Sequence, residues 1–249
     1  MAENTPSKGL SILGITLALG LIAAAFVLGM QFKNFRSPGT ITVKGLSEKG
    51  YQANNAAWQT SVAVHGDTYK EALDGLEKTR PALIKFLQKQ GFSSQEIQIL
   101  NPVVDPHYVQ VHSENGSSRQ VQDGFDGEQK IMVKTQNLVT VQKANQAILS
   151  LRAVNETIRF EQPEYLIGNL EEIKHALINQ ATEDAYKRAQ EFSKNSGGKV
   201  GVMRSASQGS FNIYADSGSA ESDDYGGVYD KSTVGKLVRL VVTIEYGID

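Results

Sequence analysis

The chain opens on one unbroken apolar run and then changes to short alternating segments. From Leu10 to Met30 no residue is charged, with Lys8 before the run and Lys33 after it. These 21 residues match the roughly 20 helical residues that cross a hydrocarbon layer about 30 Å thick. Gly14, Gly20 and Gly29 would weaken a soluble helix but are common in membrane spans. A cleaved signal peptide has a shorter apolar core ending in a small-x-small site. Here the Ala23-Ala24-Ala25 cluster lies inside the run and is followed by Phe26, Val27 and Leu28. The expectation is a retained signal anchor at residues 10–30, after a short tail at 1–9. A linker at 31–39 and a soluble domain at 40–249 follow. Gly20 and Ala24 have the small-xxx-small spacing that packs spans together, but a run this rich in Gly and Ala contains it by chance.

Beyond Thr40 two periods interleave. Ile41 and Val43 start a strand, and Ala56 to His65 alternates well, with Trp58, Thr60, Val62 and Val64 on one face. Thr68-Tyr69-Lys70-Glu71 fits a capping box, and Leu73, Leu76, Leu83, Ile84 and Leu87 form the stripe of the helix it opens. Pro81 is expected to kink or divide that helix, and Gly91 to end it. Strand pattern resumes from Glu96 to Val111. The Ser, Gly, Asn and Asp content of His112 to Gln129 then predicts a polar loop.

Lys130 to Val141 reads as a strand, and Ala144, Ala147, Ile148, Leu151 and Val154 as a short helical stripe. Ile158 to Ile167 reads as extended chain broken at Pro163. Asn169 and Glu172 cap the longest helix, whose face is predicted to carry Leu170, Ile173, Leu177, Ala181, Ala185, Ala189 and Phe192. Gly197-Gly198 stops it. Two strands near Lys199–Arg204 and Phe211–Tyr214, a loop from Ala215 to Thr233, and a last strand with Val238, Leu240, Val242, Ile244 and Tyr246 on one face complete the pattern. Strands outnumber helices without strict alternation. The fold class expected is α+β, with largely antiparallel sheets, about three helices packed on them and one membrane helix in front.

Charge narrows the partners. The chain carries −2, and the stretch before Thr40 is +2, so the remainder is −4. A mildly acidic domain without Lys/Arg clusters is a poor nucleic-acid binder. With no cysteine, disulfides, thiolate metal sites and cysteine nucleophiles are excluded. Lys33 and Arg36 behind the span give no charge bias toward a cytoplasmic tail. A short leader, one span and a long domain are nonetheless the plan of a signal anchor. The expected location is the inner (cytoplasmic) membrane, single-pass, with the C-terminal domain in the periplasm or otherwise outside the cytoplasm.

The search for chemistry finds little. His65, His107, His112 and His175 are the only histidines, and no pair has zinc-site helical spacing. His107 and His112 lie five apart, and nothing in the sequence brings them together. Asp216, Glu221, Asp223, Asp224 and Asp230 crowd one loop but lack the order of a calcium loop, so a solvated loop is expected. Its Tyr225 and Tyr229 are candidates for a sticky tip. There is no G-x-S-x-G, and Ser207-Gln208-Gly209-Ser210 lacks that frame. No phosphate-binding glycine motif occurs. Glu171-Glu172 and Asp223-Asp224 are adjacent pairs that diverge in regular structure, and they read as helix N-terminal charge and loop charge. No catalytic, cofactor-binding or metal residue is assigned.

Several phrases carry a family likeness. Ile41-Thr42-Val43-Lys44-Gly45, the passage Gly91 to Gln98, and Ala181 to Ala189 followed by Gly197, Gly198 and Val200 occur in an order that resembles the SIMPL domain, also known as DUF541. The closing strand Val238 to Tyr246 is similar too. The likeness covers about Thr40 to Gly247. It departs at Arg152-Ala153-Val154-Asn155, which keeps only the Asn of the family's usual turn, and at the long Asp216–Asp230 loop. The resemblance implies a bacterial envelope protein, secreted or anchored, with no established enzymatic activity and links to envelope stress and oligomeric assembly. The expected function is therefore non-catalytic binding or homo-oligomeric assembly at a membrane, with an envelope protein as a further partner. The alternative is an enzyme or small-ligand binder, marked by a deep cleft gathering two or more of His65, His107, His175, Asp105 and Arg204. A pore subunit is disfavoured because the span has no polar face.

Overall fold

The computed structural model describes residues 8–34, 39–112, 118–216 and 227–248. The elements, in order, are α1 (Lys8–Asn34), β1 (Thr40–Gln52), β2 (Asn55–Gly66), α2 (Tyr69–Gln90), β3 (Ile97–Ile99), β4 (Val103–His112), β5 (Ser118–Thr135) and α3 (Leu138–Val154). They continue with β6 (Ile158–Phe160), β7 (Glu164–Leu166), α4 (Leu170–Ser196), β8 (Val200–Ala215) and β9 (Gly235–Ile248). The class is α+β, as expected. Contacts divide the chain into two units. One holds residues 45–184 and 208–242, and the other residues 1–44, 185–207 and 243–249.

Within the larger unit a six-stranded sheet runs β3-β5-β2-β6, with β4 also paired to β5 and β7 to β2. β2 and β5 are antiparallel over Ala56↔Thr135 to Gly66↔Phe125. One face of these strands presents Trp58, Thr60, Val62, Ile131 and Val133, all wholly buried. Leu76, Leu83 and Leu87 of α2 and Val141, Ala144 and Ile148 of α3 join them in one core. Each buried Val, Leu or Ile side chain contributes about 1.5–3 kcal/mol by leaving water. The indole N–H of Trp58 donates to the Glu161 carbonyl at 2.9 Å, so the one polar atom of that ring is satisfied.

The sequence pattern fails in several places. Pro81 does not divide α2, which is continuous from Tyr69 to Gln90. Pro81 and Glu77, whose carbonyl loses its partner, both lie on the exposed face, where water replaces the bond. The polar stretch from His112 to Gln129 is not a loop, because β5 already begins at Ser118. Strand pairing satisfies its backbone, while water meets most of its side chains, so the composition mimics a loop. The strand predicted to reach Val141 ends at Thr135. Asn137 then caps α3, its side chain accepting from Thr140 N at 3.1 Å, and the β-branched run Val139–Val141 is helical. Burial of Val141 with Ala144 and Ile148 overrides local propensity.

The two strands predicted around Ser205–Ser210 are one, β8. Phe192 does not line the buried face of α4. It is 61% exposed, and Ser193 is the buried residue. The buried positions Leu177, Ala181, Ala185 and Ala189 step by four, and the next step lands on Ser193, whose hydroxyl donates to the Gly198 carbonyl at 2.9 Å. Val154, read into the apolar stripe of α3, is the last residue of that helix and is 83% exposed. Other predicted features are present. The Thr68–Glu71 capping box forms, Gly91 takes the left-handed cap with φ 105°, and Pro163 separates β6 from β7. Val238, Leu240, Val242, Ile244 and Tyr246 are all buried. α1 is one continuous helix, and Ile12–Met30 within it is long and apolar enough to cross a membrane, with none of it buried against protein.

Candidate functional site

The face of β2 and β5 turned away from the helices carries polar residues. In the antiparallel register His65 lies opposite Asp126, and Asp105 of β4 lies opposite the same residue on the other side. The three strands form the floor of an open groove of about 690 Å³ that includes His65, Asp105, Asp126, Glu128, Lys130 and Arg159. Pairing between β4 and β5 slips at this point. Pro106 pairs with Phe125 but Tyr108 pairs with Gln122. His107 alone therefore faces Asp123 and Gly124, so the extra residue of the bulge lies in β5, opposite His107.

The outcome is one carboxylate shared by two imidazoles. His65 Nδ1 lies 2.9 Å from Asp126 Oδ1, and His107 Nδ1 lies 2.7 Å from Asp126 Oδ2. The rings meet edge to face with centroids 5.3 Å apart. With Asp126 ionised, each Nδ1–H donates to one oxygen. The hydrogen bond to Asp126 holds His65 above the ordinary imidazole range, against the opposing effect of burial and with help from the charges of Asp126, Asp123 and Asp67. The bond from His65 holds Asp126 below the ordinary carboxylate range, and His107 adds to it. Both side chains are about half exposed, so solvent screens the pair and its stabilising value is small.

Gly124 completes the arrangement. Its φ is +78°, and a Cβ there would lie 2.5 Å from the Gly66 carbonyl oxygen and 2.8 Å from His65 Nε2. Only glycine lets the bulged strand pass so close to that ring. Of the residues the sequence offered for one cleft, His65, His107 and Asp105 do come together; Asp126, which joins them, was missed because it lay in a segment read as loop. A signal was nonetheless present: an outward position of β2 carried His65, and the D-G-F-D phrase Asp123–Asp126 carried a glycine suited to a bulge.

Past the groove, β4 and β5 run on as a two-stranded ribbon, from Tyr108↔Gln122 to His112↔Ser118. Every residue from Ser118 to Asp123 is exposed. Tyr108, Val111 and Val121 are 56%, 41% and 37% exposed, which puts apolar surface on both strands. Among the described residues β4 pairs with β5 alone, so its outer edge presents unpaired backbone groups.

Other candidates resolve differently. His112 sits at the far end of the ribbon, His175 is exposed on α4, and Arg204 belongs to the smaller unit. Asp230 is committed internally, taking the ammonium of Lys236 at 2.9 Å and the hydroxyls of Ser232 and Thr233 at 2.6 Å each. The described end of the predicted 215–233 loop is stitched down. Tyr229 bridges Ile213, and its hydroxyl accepts from Ile167 N at 3.0 Å, so it is no protruding tip. Glu221, Asp223, Asp224 and Tyr225 lie outside the described residues. Glu171 pairs with Lys174 in the first turn of α4 at 3.1 Å. A recess of about 580 Å³ at the other end of β2 is lined by Asn55, Glu96, Lys134 and Leu166 among others. There the Thr135 hydroxyl and the Ser93 N–H and hydroxyl hydrogen-bond Glu96 and hold its carboxyl below the usual range. That carboxylate staples a turn.

No curated relative matches the chain. The family model described as a protein of unknown function, DUF541, matches residues 41–238, which covers the described strands and helices from β1 to the start of β9. On that match, the chain belongs to the SIMPL (DUF541) family.

Proposed function

We propose that this chain is a membrane-tethered, non-catalytic module of the bacterial cell envelope that assembles with further copies of itself through the β4–β5 ribbon. The observation that carries the reading is the ribbon's composition and edge. Tyr108, Val111 and Val121 face water, and the outer edge of β4 is without a strand partner among the described residues. An isolated two-stranded ribbon is marginal in water, and an open edge with apolar side chains is a template for a further strand. A second copy offers the same edge, so a two-fold pairing is self-complementary.

The tether is α1, whose Ile12–Met30 stretch is exposed throughout. Its length along the axis is about 29 Å at 1.5 Å per residue, close to the hydrocarbon thickness. The domain lies outside the cytoplasm in this reading. The non-catalytic part rests on the groove being broad and open, without the closure that keeps water from a reaction.

Light scattering on the full-length chain in detergent tests the assembly. The expected particle contains more than one chain, and Val111→Lys with Val121→Lys dissociates it to single chains. A particle of one chain at every concentration contradicts the reading. Labelling of intact cells with a membrane-impermeant amine reagent tests the side, and a domain protected until lysis contradicts the placement.

A further inference from the structure

We infer that His65, His107 and Asp126 form a site for one divalent transition-metal ion of the zinc type, which braces the base of the β4–β5 ribbon against β2. The inference goes beyond the assembly reading and does not depend on it. Each of the three residues offers one ligand atom, and these atoms all lie within 4.8 Å of one another. A tetrahedral zinc with bonds of about 2.0–2.2 Å needs its ligand atoms about 3.3 Å apart. The two nitrogen–oxygen distances are already 2.9 and 2.7 Å, so small side-chain rotations open the space.

The donor set selects the class of ion. Two imidazoles and one carboxylate suit zinc and its transition-metal neighbours, whereas magnesium and calcium prefer oxygen alone. The surroundings favour a cation, with Asp105 opposite Asp126 in the strand register and the charges of Asp67 and Asp123 acting on His65. Both histidines come from paired strands, and Gly124 keeps the backbone close beneath His65, so the donors are held in place before the ion arrives. Neutral imidazoles bind by passing the Nδ1 proton to Nε2, which leaves the proton count unchanged and the Nδ1 lone pair for the ion. Solvent completes the coordination from the open groove. The ion then links β2 to β4 across β5, at the point where the bulge interrupts the ladder.

The test uses the tag-free, full-length chain in detergent, stripped with a chelator and titrated with Zn²⁺ by calorimetry. One Zn²⁺ per chain is expected. His65→Ala and His107→Ala are each expected to weaken binding by at least about 100-fold, and Asp126→Asn by about 10- to 100-fold. His112→Ala and His175→Ala are expected to leave it unchanged. Fluorescence of Trp58, the single tryptophan, verifies that each variant is folded. On the unmutated chain, Cu²⁺ electron paramagnetic resonance reads the ligands directly, with hyperfine splitting from two imidazole nitrogens expected. Zn²⁺ should also slow amide hydrogen exchange in β4 near His107. Absence of saturable Zn²⁺ binding, or binding in His65→Ala and His107→Ala as tight as in the unmutated chain, overturns the site. Saturable binding with unaltered exchange in β4 overturns the bracing. None of these readouts depends on how many chains the particle contains.

Discussion

The ammonium of Lys236, wholly buried at the start of β9, lies 2.9 Å from Asp230 Oδ2 and 2.5 Å from the Asp230 carbonyl oxygen. An ammonium taken out of water needs such partners, and removing one of them leaves an uncompensated charge. The pair anchors the segment whose backbone carbonyls accept from β7 and from the β1–β2 turn: Lys231 O accepts from Tyr165 N at 2.7 Å and Val234 O from Ala53 N at 2.8 Å.

Asp230→Asn is expected to destabilise the larger unit by about 3 kcal/mol, the lower part of the range for breaking a buried pair, since Asp230 keeps some solvent contact. Burial raises the Asp230 carboxyl, but hydrogen bonds from Ser232, Thr233 and Lys236 outweigh it and hold it far below the ordinary range. The unfolded chain therefore takes up this proton first. Its contribution is complete above about pH 4 and is lost as pH falls through the folded value. Denaturant titrations followed by Trp58 should show a loss of stability on acidification that is smaller in Asp230→Asn.

Gly124 and Gly197 share a φ of +78°, but only Gly124 is crowded, since nothing lies within 4 Å of a Cβ at Gly197. Gly197→Ala should cost about 1–2 kcal/mol for the left-handed backbone alone. Gly124→Ala should cost clearly more and should speed amide exchange in β4 and β5 on both sides of His107. Equal costs for the two substitutions would contradict the described approach of Gly124 to His65.

Thr68 accepts from Glu71 N at 3.2 Å, and Glu71 returns a bond to Thr68 N at 3.2 Å. Thr68→Ala should lower stability by about 1 kcal/mol, measured by the same denaturant titration. Phe192→Ser, on the exposed side of α4, should change it by less than about 0.5 kcal/mol.

Much of the fold was legible where one physical requirement dominated. The alternation of β9 and of Trp58 to Val64 follows from a single buried face, and the Thr68 box and Gly91 cap follow from unpaired backbone groups at helix ends. The ribbon was hidden because a strand with both faces in water carries no alternation. Ser118 to Gln129 therefore looked like a loop. The candidate site was hidden for a second reason. His65, His107 and Asp126 meet only through the β2–β5 register and a bulge opposite His107, neither of which local composition encodes. The Asp230–Lys236 pair was missed likewise, because an Asp in a Gly/Ser-rich stretch reads as solvated until Lys236 is known to be buried.

The central claim, that copies meet through the ribbon, is tested most directly by cross-linking in the membrane. The chain has no cysteine, so a single one placed at Val111, on the edge strand β4, reports only on its own neighbourhood. Leu149, 59% exposed on α3, serves as the control position. Oxidation of native membranes should convert Val111→Cys chains to disulfide-linked dimers while Leu149→Cys chains stay single. Dimers no more frequent at Val111 than at Leu149 would contradict the account.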